Sequence, residues 1–197
     1  MSRELRHPPT IALEGARLRP LRVADAAPFY AYLRDPRVTD RTSYPDVTLP
    51  LVEAIIERSL SRWAAGEPSK WGIALGADDQ LVGTCGFNDW SQVHRWAELG
   101  CDLARAHWGT GLMRRAVAAA LAWAFQGDQI DRVHAFARVD NAPSARLLAH
   151  SGFLREGCLR SFRMCRGRPH DFDLYALLRS DWAAARLVTG ARAGDDG

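Results

Sequence analysis

Between residues 96 and 126 the hydrophobic pattern changes period, and that change constrains the fold more than any other feature of the chain. Trp96 to Leu103 reads as a strand, and a basic stretch then ends in Gly109-Thr110-Gly111. Apolar residues follow at helical spacing to about Gln126, where Gly127 stops them. A strand that turns through glycines into a helix points to a mixed α/β class, with the stripe Leu112, Ala116, Ala119, Ala120 and Trp123 as the helix face packed on the sheet. The longest uninterrupted apolar run, the ten residues from Ala116 to Phe125, is too short to span a bilayer, which takes about 20.

The rest of the chain fits around that unit. Residues 17–22 read as a first strand, and Asp25 is the expected N-cap of a helix over Ala26 to Leu33, with Pro36 beyond its end. A loop over 35–50, rich in Asp, Thr, Ser and Pro, leads to a second helix carrying Val52, Ile55, Ile56, Leu60 and Trp63 up to Gly66. Trp71 to Leu75 and Leu81 to Phe87 form a hairpin across Gly76 to Gln80. After a loop over 88–95, Trp96 to Leu103 completes three consecutive antiparallel strands. Arg132 to Val139 is a further strand. Asn141 as N-cap, Pro143 in the first turn and Gly152 at the end delimit a short helix. Phe153 to Gly157 and Phe172 to Leu178 are the remaining strands. The expectation is one domain over 15–182, a mostly antiparallel sheet of six or seven strands flanked by about four helices, with a flexible arm over 1–14 and a flexible tail over 183–197.

Composition excludes more than it assigns. With 197 residues, 47% hydrophobic and 25% charged, the chain is of ordinary globular type and large enough for one core. A net charge of +3 is small for a dedicated nucleic-acid binder. Nearly all the positive charge is arginine, Lys70 being the only lysine. Cys85, Cys101, Cys158 and Cys165 form no C-x-x-C and read as reduced thiols. His94, His107, His134, His150 and His170 have no paired ligand spacing, so no metal is expected. The basic residues at the start lead into no apolar stretch of signal-peptide length, which makes the cytoplasm the expected location and leaves no membrane partner.

The segment from Glu98 to Gly111 outlines a phosphate site. Gly109 and Gly111 allow close backbone approach, and the N–H groups at a helix start offer donors and partial positive charge. Arg114 stands where a G-x-G-x-x-G fingerprint needs glycine, and no Walker lysine follows. This loop resembles the acetyl-CoA pyrophosphate loop of the GNAT N-acetyltransferases. Asn141-Ala142-Pro143-Ser144, then Leu147-Leu148 and Ser151-Gly152-Phe153, resembles the N-x-x-S…G-F signature of the branch containing the RimJ/RimL ribosomal-protein acetyltransferases. Gly157 to Arg160, Gly167, Asp171 and Leu174 to Leu178 resemble that branch's closing hairpin, and Leu18 to Leu21 with Asp25 its beginning.

The resemblance covers about residues 15–182 and implies a GNAT fold with two splayed central strands, here those ending near Leu103 and running from Arg132 to Val139. It implies acetyl-CoA as co-substrate, with no metal. The edge carbonyls and N–H groups of residues 101–105, from Cys101, Asp102 and Leu103 to Arg105, would pair with the pantetheine arm. The backbone of Ala106, His107, Trp108, Gly109, Thr110 and Gly111 would hold the pyrophosphate, with the Arg105 or His107 side chain replacing the one lost at Ala106. Asn141 would reach the pantetheine while capping its helix. Glu98 matches the family's general base, beside a competing reading as a strand glutamate in a salt bridge. Ser144 matches the branch's candidate acid, beside an ordinary capping role. Two positions depart from the pattern: Ala106 replaces the usual Gln or Arg, and Leu148 the usual acidic tyrosine.

An α-amine, with a pKa near 8, needs less help to lose its proton than lysine near 10.4. A modest base therefore suffices for an N-terminal or similar low-pKa amine, and the resemblance implies a protein N-terminal amine of the ribosomal-protein type as the acceptor. Acetylation of a polyamine, amino acid or antibiotic, and a non-catalytic acyl-CoA- or RNA-binding module, are the alternatives. Arg155, Arg160, Arg163, Arg166 and Arg168 read as a solvated hairpin or as a face for an acidic substrate, the CoA 3′-phosphate or RNA. A homodimer is expected from the exposed hairpin over 158–178.

Overall fold

The structure, a computed structural model, describes residues 8–193. Eight strands form one sheet in the order β1-β2-β3-β4-β5-β6-β8-β7. They are β1 (Ile11–Leu13), β2 (Ala16–Pro20), β3 (Lys70–Leu75), β4 (Gln80–Ser91), β5 (Trp96–Leu103), β6 (Arg132–Arg138), β7 (Leu154–Cys165) and β8 (Arg168–Leu178). The helices are α1 (Ala26–Leu33), α2 (Pro36–Thr39), α3 (Leu49–Ala64), α4 (Leu112–Gln126), α5 (Ala142–His150) and α6 (Arg179–Ala193). Among the described residues no helix is long and apolar enough to cross a membrane.

Every neighbouring pair of strands is antiparallel except β5 and β6. That parallel pair meets only where Trp96, Ala97 and Glu98 face Arg132, Val133 and His134. Beyond Glu98 the two strands share no ladder, although β4 still pairs with β5 as far as Leu103 and β8 with β6 as far as Arg138. Each arm of the resulting wedge is therefore held rigidly from outside, and the backbone groups facing into the gap are left for another partner.

The core lies on both sides of the residues that shape this wedge. Leu112, Ala116, Val117, Ala120 and Leu121 of α4 are buried against the sheet. Trp123 of α4 meets Trp63 of α3 and Trp71 of β3 with ring centroids 5.4 and 5.1 Å apart, in edge-to-face geometry. Leu21, Phe29, Leu33, Val52 and Ile56 form a second cluster that seats α1 and α3. At about 1.5–3 kcal/mol for each fully buried large apolar side chain, these clusters hold the helices in place over the sheet.

The mixed class, the three-strand antiparallel centre β3-β4-β5 and the splayed pair agree with expectation, while several element counts and bounds need correction. The sheet has eight strands rather than six or seven because β1, three residues pairing Ile11 with Leu18, lies in the stretch read as an arm. Six helices replace about four. The single turn α2 sits in the 35–50 loop, where the Asp35 carboxylate accepts from the Arg37 N–H, and α6 runs into the stretch read as a tail. Residues 1–7 and 194–197 of those terminal segments lie outside the described residues. The loop over 88–95 shrinks to a turn because β4 continues to Ser91. Asp25 does not cap α1 with its side chain. Its buried carboxylate instead takes both ends of the Arg19 guanidinium at 2.7 and 2.8 Å, together with the Arg22 N–H.

Candidate active site

The wedge opens into a cavity of about 350 Å³. Glu98 stands at its apex, as the last residue of β5 paired with β6. Its placement depends on an irregularity in β4, where Phe87 and Asp89 pair with consecutive residues Leu99 and Glu98 and leave Asn88 as a bulge. A side chain at Gly100 would collide with the Asn88 amide, its Cβ falling 2.4 Å from that group. Glycine there lets the amide lie across β5 and donate to Glu98 Oε1 at 3.0 Å. The Asn88 carbonyl accepts from Arg62 at 2.6 Å, which fixes the bulge from α3.

A second partner reaches Glu98 from the far edge of the sheet. Arg163 Nη2 lies 3.2 Å from both carboxylate oxygens. A register shift between Leu159 and Arg163, with Ser161 at φ +51° and its N–H bonded to Asp171, turns the strand so that Arg163 faces inward. Its guanidinium packs on the rings of Phe136, Phe162 and Phe172 at 4.7, 5.1 and 5.8 Å. Glu98 is thus a salt-bridged strand glutamate that also lines a cavity. Most of the arginine cluster is consumed similarly, Arg155 pairing with Asp173 and Arg166 with Asp40, while Arg160 and Arg168 are exposed.

Further along β5, Cys101 lines the cavity and burial pushes its thiol up to about 12, so it stays protonated at neutral pH. Asp102 is buried and holds three hydroxyls: Tyr32 from α1, Tyr44 from the following loop at 2.9 Å, and Thr84 from β4 at 2.8 Å. Burial is the main cause that raises Tyr32 and Tyr44 well above the ordinary tyrosine range, with the Asp102 charge adding to it. The Asp102 side chain is thereby committed to structure. Leu103 is buried, and its carbonyl accepts the Trp108 indole N–H at 2.9 Å.

Asn141 and Ser144 face β5 from the other arm of the wedge. The Asn141 side chain accepts the Ser144 N–H at 3.3 Å, the expected cap, and its amide donates to the Arg41 carbonyl at 3.4 Å. Ser144 lines the cavity, and its hydroxyl has no protein partner among the described residues. Leu148 lines it too, buried, where a tyrosine was the usual expectation. His134 pairs with Glu98 in the ladder, outside the cavity lining, and burial lowers its pKa.

The glycine loop lies outside that lining and forms a separate feature beyond β5. Arg105–His107 make one 3-10 turn, Gly109 and Gly111 take φ of +76° and +74°, and Gly111 precedes the first turn of α4. The N–H groups of Gly109, Thr110, Gly111, Met113 and Arg114 have no acceptor among the described residues. Arg105, Ala106, Trp108, Gly109 and Thr110 are exposed, and His107 is half-buried. The expected site residues therefore divide into two groups: Glu98, Cys101, Asp102, Asn141 and Ser144 around the cavity, and Leu103 with residues 105–111 at the loop. Sequence reading missed Asn88, Tyr44 and the Arg163 contact, since a bulge and two long-range pairings leave no local pattern.

Residues 16–154 match the family described as the acetyltransferase (GNAT) domain. The uncharacterized N-acetyltransferase p20 of Bacillus licheniformis is 32% identical over 88% of this chain and 98% of that protein. The ribosomal-protein-serine acetyltransferase of Escherichia coli is 31% identical over 50% of this chain and 55% of that enzyme, about half the length of each. Among solved structures, RimL, a ribosomal-protein acetyltransferase in complex with coenzyme A, superposes with a TM-score of 0.78 at 19% identity, over 86% of this chain and 98% of that one. With a domain match across most of its length and a full-length relative, the chain belongs to the GNAT family of N-acetyltransferases, and its relatives include ribosomal-protein acetyltransferases.

Proposed function

We propose that the protein transfers acetyl from acetyl-CoA to the α-amine of a protein N-terminus. The observation that carries this reading is a carboxylate, Glu98, at the apex of a cavity whose other charged walls are mostly cationic: Arg41, Arg58, Arg62, Lys70, Arg138 and Arg163. Fixed positive charge disfavours a second cation, so a polyamine or lysine ammonium is penalised there. An α-amine, with a pKa near 8, enters neutral at little cost. The name of the Escherichia coli relative and the coenzyme A held by a fold neighbour support the choice of acceptor and donor. A cytoplasmic setting follows from that acceptor.

Acetyl-CoA supplies an acetyl group activated as a thioester. The free N–H groups of residues 109–111, 113 and 114, with Arg105 nearby, suit its pyrophosphate, and they survive the loss of the family's first loop side chain at Ala106. The unpaired edge of β5 around Cys101 and Asp102 suits the pantetheine arm, with Asn141 across the wedge. Glu98 takes the amine proton, directly or through a water, as the C–N bond forms and the C–S bond breaks. The Ser144 hydroxyl is the candidate proton source for the departing sulfur. Cys101, held protonated, is a poor competing nucleophile, which favours direct transfer.

The test is release of CoA thiol from acetyl-CoA over a panel of N-terminal peptides, polyamines and aminoglycosides. Peptides are expected to turn over and polyamines to be poor acceptors; turnover of polyamines alone would overturn the acceptor assignment. In the same assay, the Gly109→Val, Gly111→Val double variant should raise KM for acetyl-CoA at least tenfold with an unchanged circular dichroism spectrum. Valine is strained at a φ near +75° and so shifts the loop backbone, while the core is untouched, since an added Cβ meets nothing within 4 Å at Gly109 and only the flexible end of Arg115, at 3.2 Å, at Gly111. An unchanged KM would remove the loop from the donor site.

We further propose that the protein dimerises through the hairpin of β7 and β8. β7 is an edge strand carrying the exposed apolar residues Leu154, Phe162 and Met164. Sedimentation velocity should show a dimer at micromolar concentration, and a strict monomer would end the proposal.

A further inference from the structure

We infer that the acceptor carries carboxylate groups immediately beyond its amine, and that Lys70, Arg58 and Arg41 recognise them: the substrate is an acidic N-terminal segment. The inference rests on the acetyltransferase reading of the cavity and narrows it. Of the six cations lining the cavity, three are already neutralised: Arg62 by Glu67, Arg138 by Asp140 and Arg163 by Glu98. Arg58 and Lys70 have no carboxylate partner among the described residues. Arg41 makes no ion pair among the described residues, and the Asp140 carboxylate on which its charge acts is already held by Arg138. The two acids of the lining are committed as well, Glu98 to Asn88 and Arg163, and Asp102 to three hydroxyls. The Asp102 carboxylate keeps its charge while accepting from neutral hydroxyls, so one negative charge stands against the three remaining cations and the cavity keeps an excess of positive charge.

Their positions suit a chain that enters amine first. Arg41 and Arg58 are exposed at the rim, on the loop after α2 and on α3, whereas Lys70 is half-buried at the start of β3. Lys70 lines the cavity together with Gly100 and Cys101 of β5. A chain with 25 arginines has spent its only lysine here. An ammonium is a compact point charge with three rotatable donors, able to meet carboxylates that arrive in different geometries. The cations are also distinct from the donor loop, since no residue of 105–111 lines the cavity. A low-dielectric cleft lined by one sign of charge concentrates ligands of the opposite sign.

The experiment compares three N-terminal decapeptides, identical except that positions two to four are all Glu, all Gln or all Lys. Initial rates with acetyl-CoA are measured for the full-length protein, and binding of each peptide is followed calorimetrically so that charge preference is read even without turnover. The Glu peptide should show a KM and Kd at least tenfold below those of the Lys peptide at low salt, with the gap narrowing as salt is raised. Lys70→Glu and Arg58→Glu should each shrink or reverse the preference. Because Arg58 is exposed, its variant keeps the fold even if a change at Lys70 disturbs β3. Equal handling of the Glu and Lys peptides would overturn the inference and leave N-terminal acetylation standing. Preference for a small phosphorylated or carboxylated amine over every peptide would overturn the peptide assignment. Charge-selective binding with no thiol release from any amine would support the cationic rim and overturn the transferase reading instead.

Discussion

Glu98→Gln should lower kcat for acetyl transfer by about 10²- to 10⁴-fold while leaving the affinity for acetyl-CoA nearly unchanged, the range expected for loss of a positioned general base. The substitution is close to isosteric, and an amide oxygen can still accept from Asn88 and Arg163, which contact Glu98 at 3.0 and 3.2 Å. A large loss of rate therefore cannot be assigned to collapse of the apex. The pH profile separates the base role from a positioning role. The wild-type rate should reach its plateau at lower pH than the variant, because without the carboxylate the α-amine must lose its proton to solvent, near its own pKa of about 8. Ser144→Ala should cost less, since a thiolate with a pKa of about 8–9 leaves without full protonation. Equal kcat for wild type and Glu98→Gln across pH 6–9 would reduce Glu98 to half of a salt bridge with Arg163.

The legible parts of this fold are those where one residue type acts on its own neighbours. Gly109 and Gly111 mark the turn into α4, Asn141 caps α5, and the alternating runs of β3, β4 and β5 announce an antiparallel centre. What escaped depends on partners distant in the chain. β1 has three residues and exists because β2 offers it an edge. Asp25 has the composition and position of a helix cap, yet Arg19 and a buried setting claim its carboxylate. The cavity shows the same division. Glu98 is visible from its place on a strand, but Asn88 reaches it only through a bulge and Arg163 from 65 residues away. Lys70 was conspicuous by count alone. Its relevance comes from the strand order, which sets β3 next to β4 and two places from β5.

Asp102→Ala should lower the unfolding free energy by about 3 kcal/mol, the largest stability effect expected from a single change in this cavity wall. Removing the carboxylate leaves the Tyr32 and Thr84 hydroxyls buried without their acceptor, at about 1–3 kcal/mol each, while Tyr44 is half-buried and can turn toward water. Relief of the cost of burying one charge offsets part of that loss. Asp102→Asn keeps an acceptor oxygen in the same place and should retain more than half of the difference, which separates hydrogen bonding from charge. The three hydroxyls come from α1, the loop after α2, and β4, so Asp102→Ala should also loosen the acceptor wall and raise the peptide KM. Both tyrosines have folded-state pKa values raised above their unfolded ones, and the sign of the linkage follows. Their contribution is fully present below pH ~10, where both states hold the proton. It is lost as pH climbs from there through the folded-state values, because the unfolded chain gives up its phenolic protons first. Urea titrations at pH 7 and at pH ~10.5 read both effects. The wild type should be measurably less stable at the higher pH, and an Asp102→Ala protein within about 1 kcal/mol of wild type at pH 7 would show that the three hydroxyls find other acceptors.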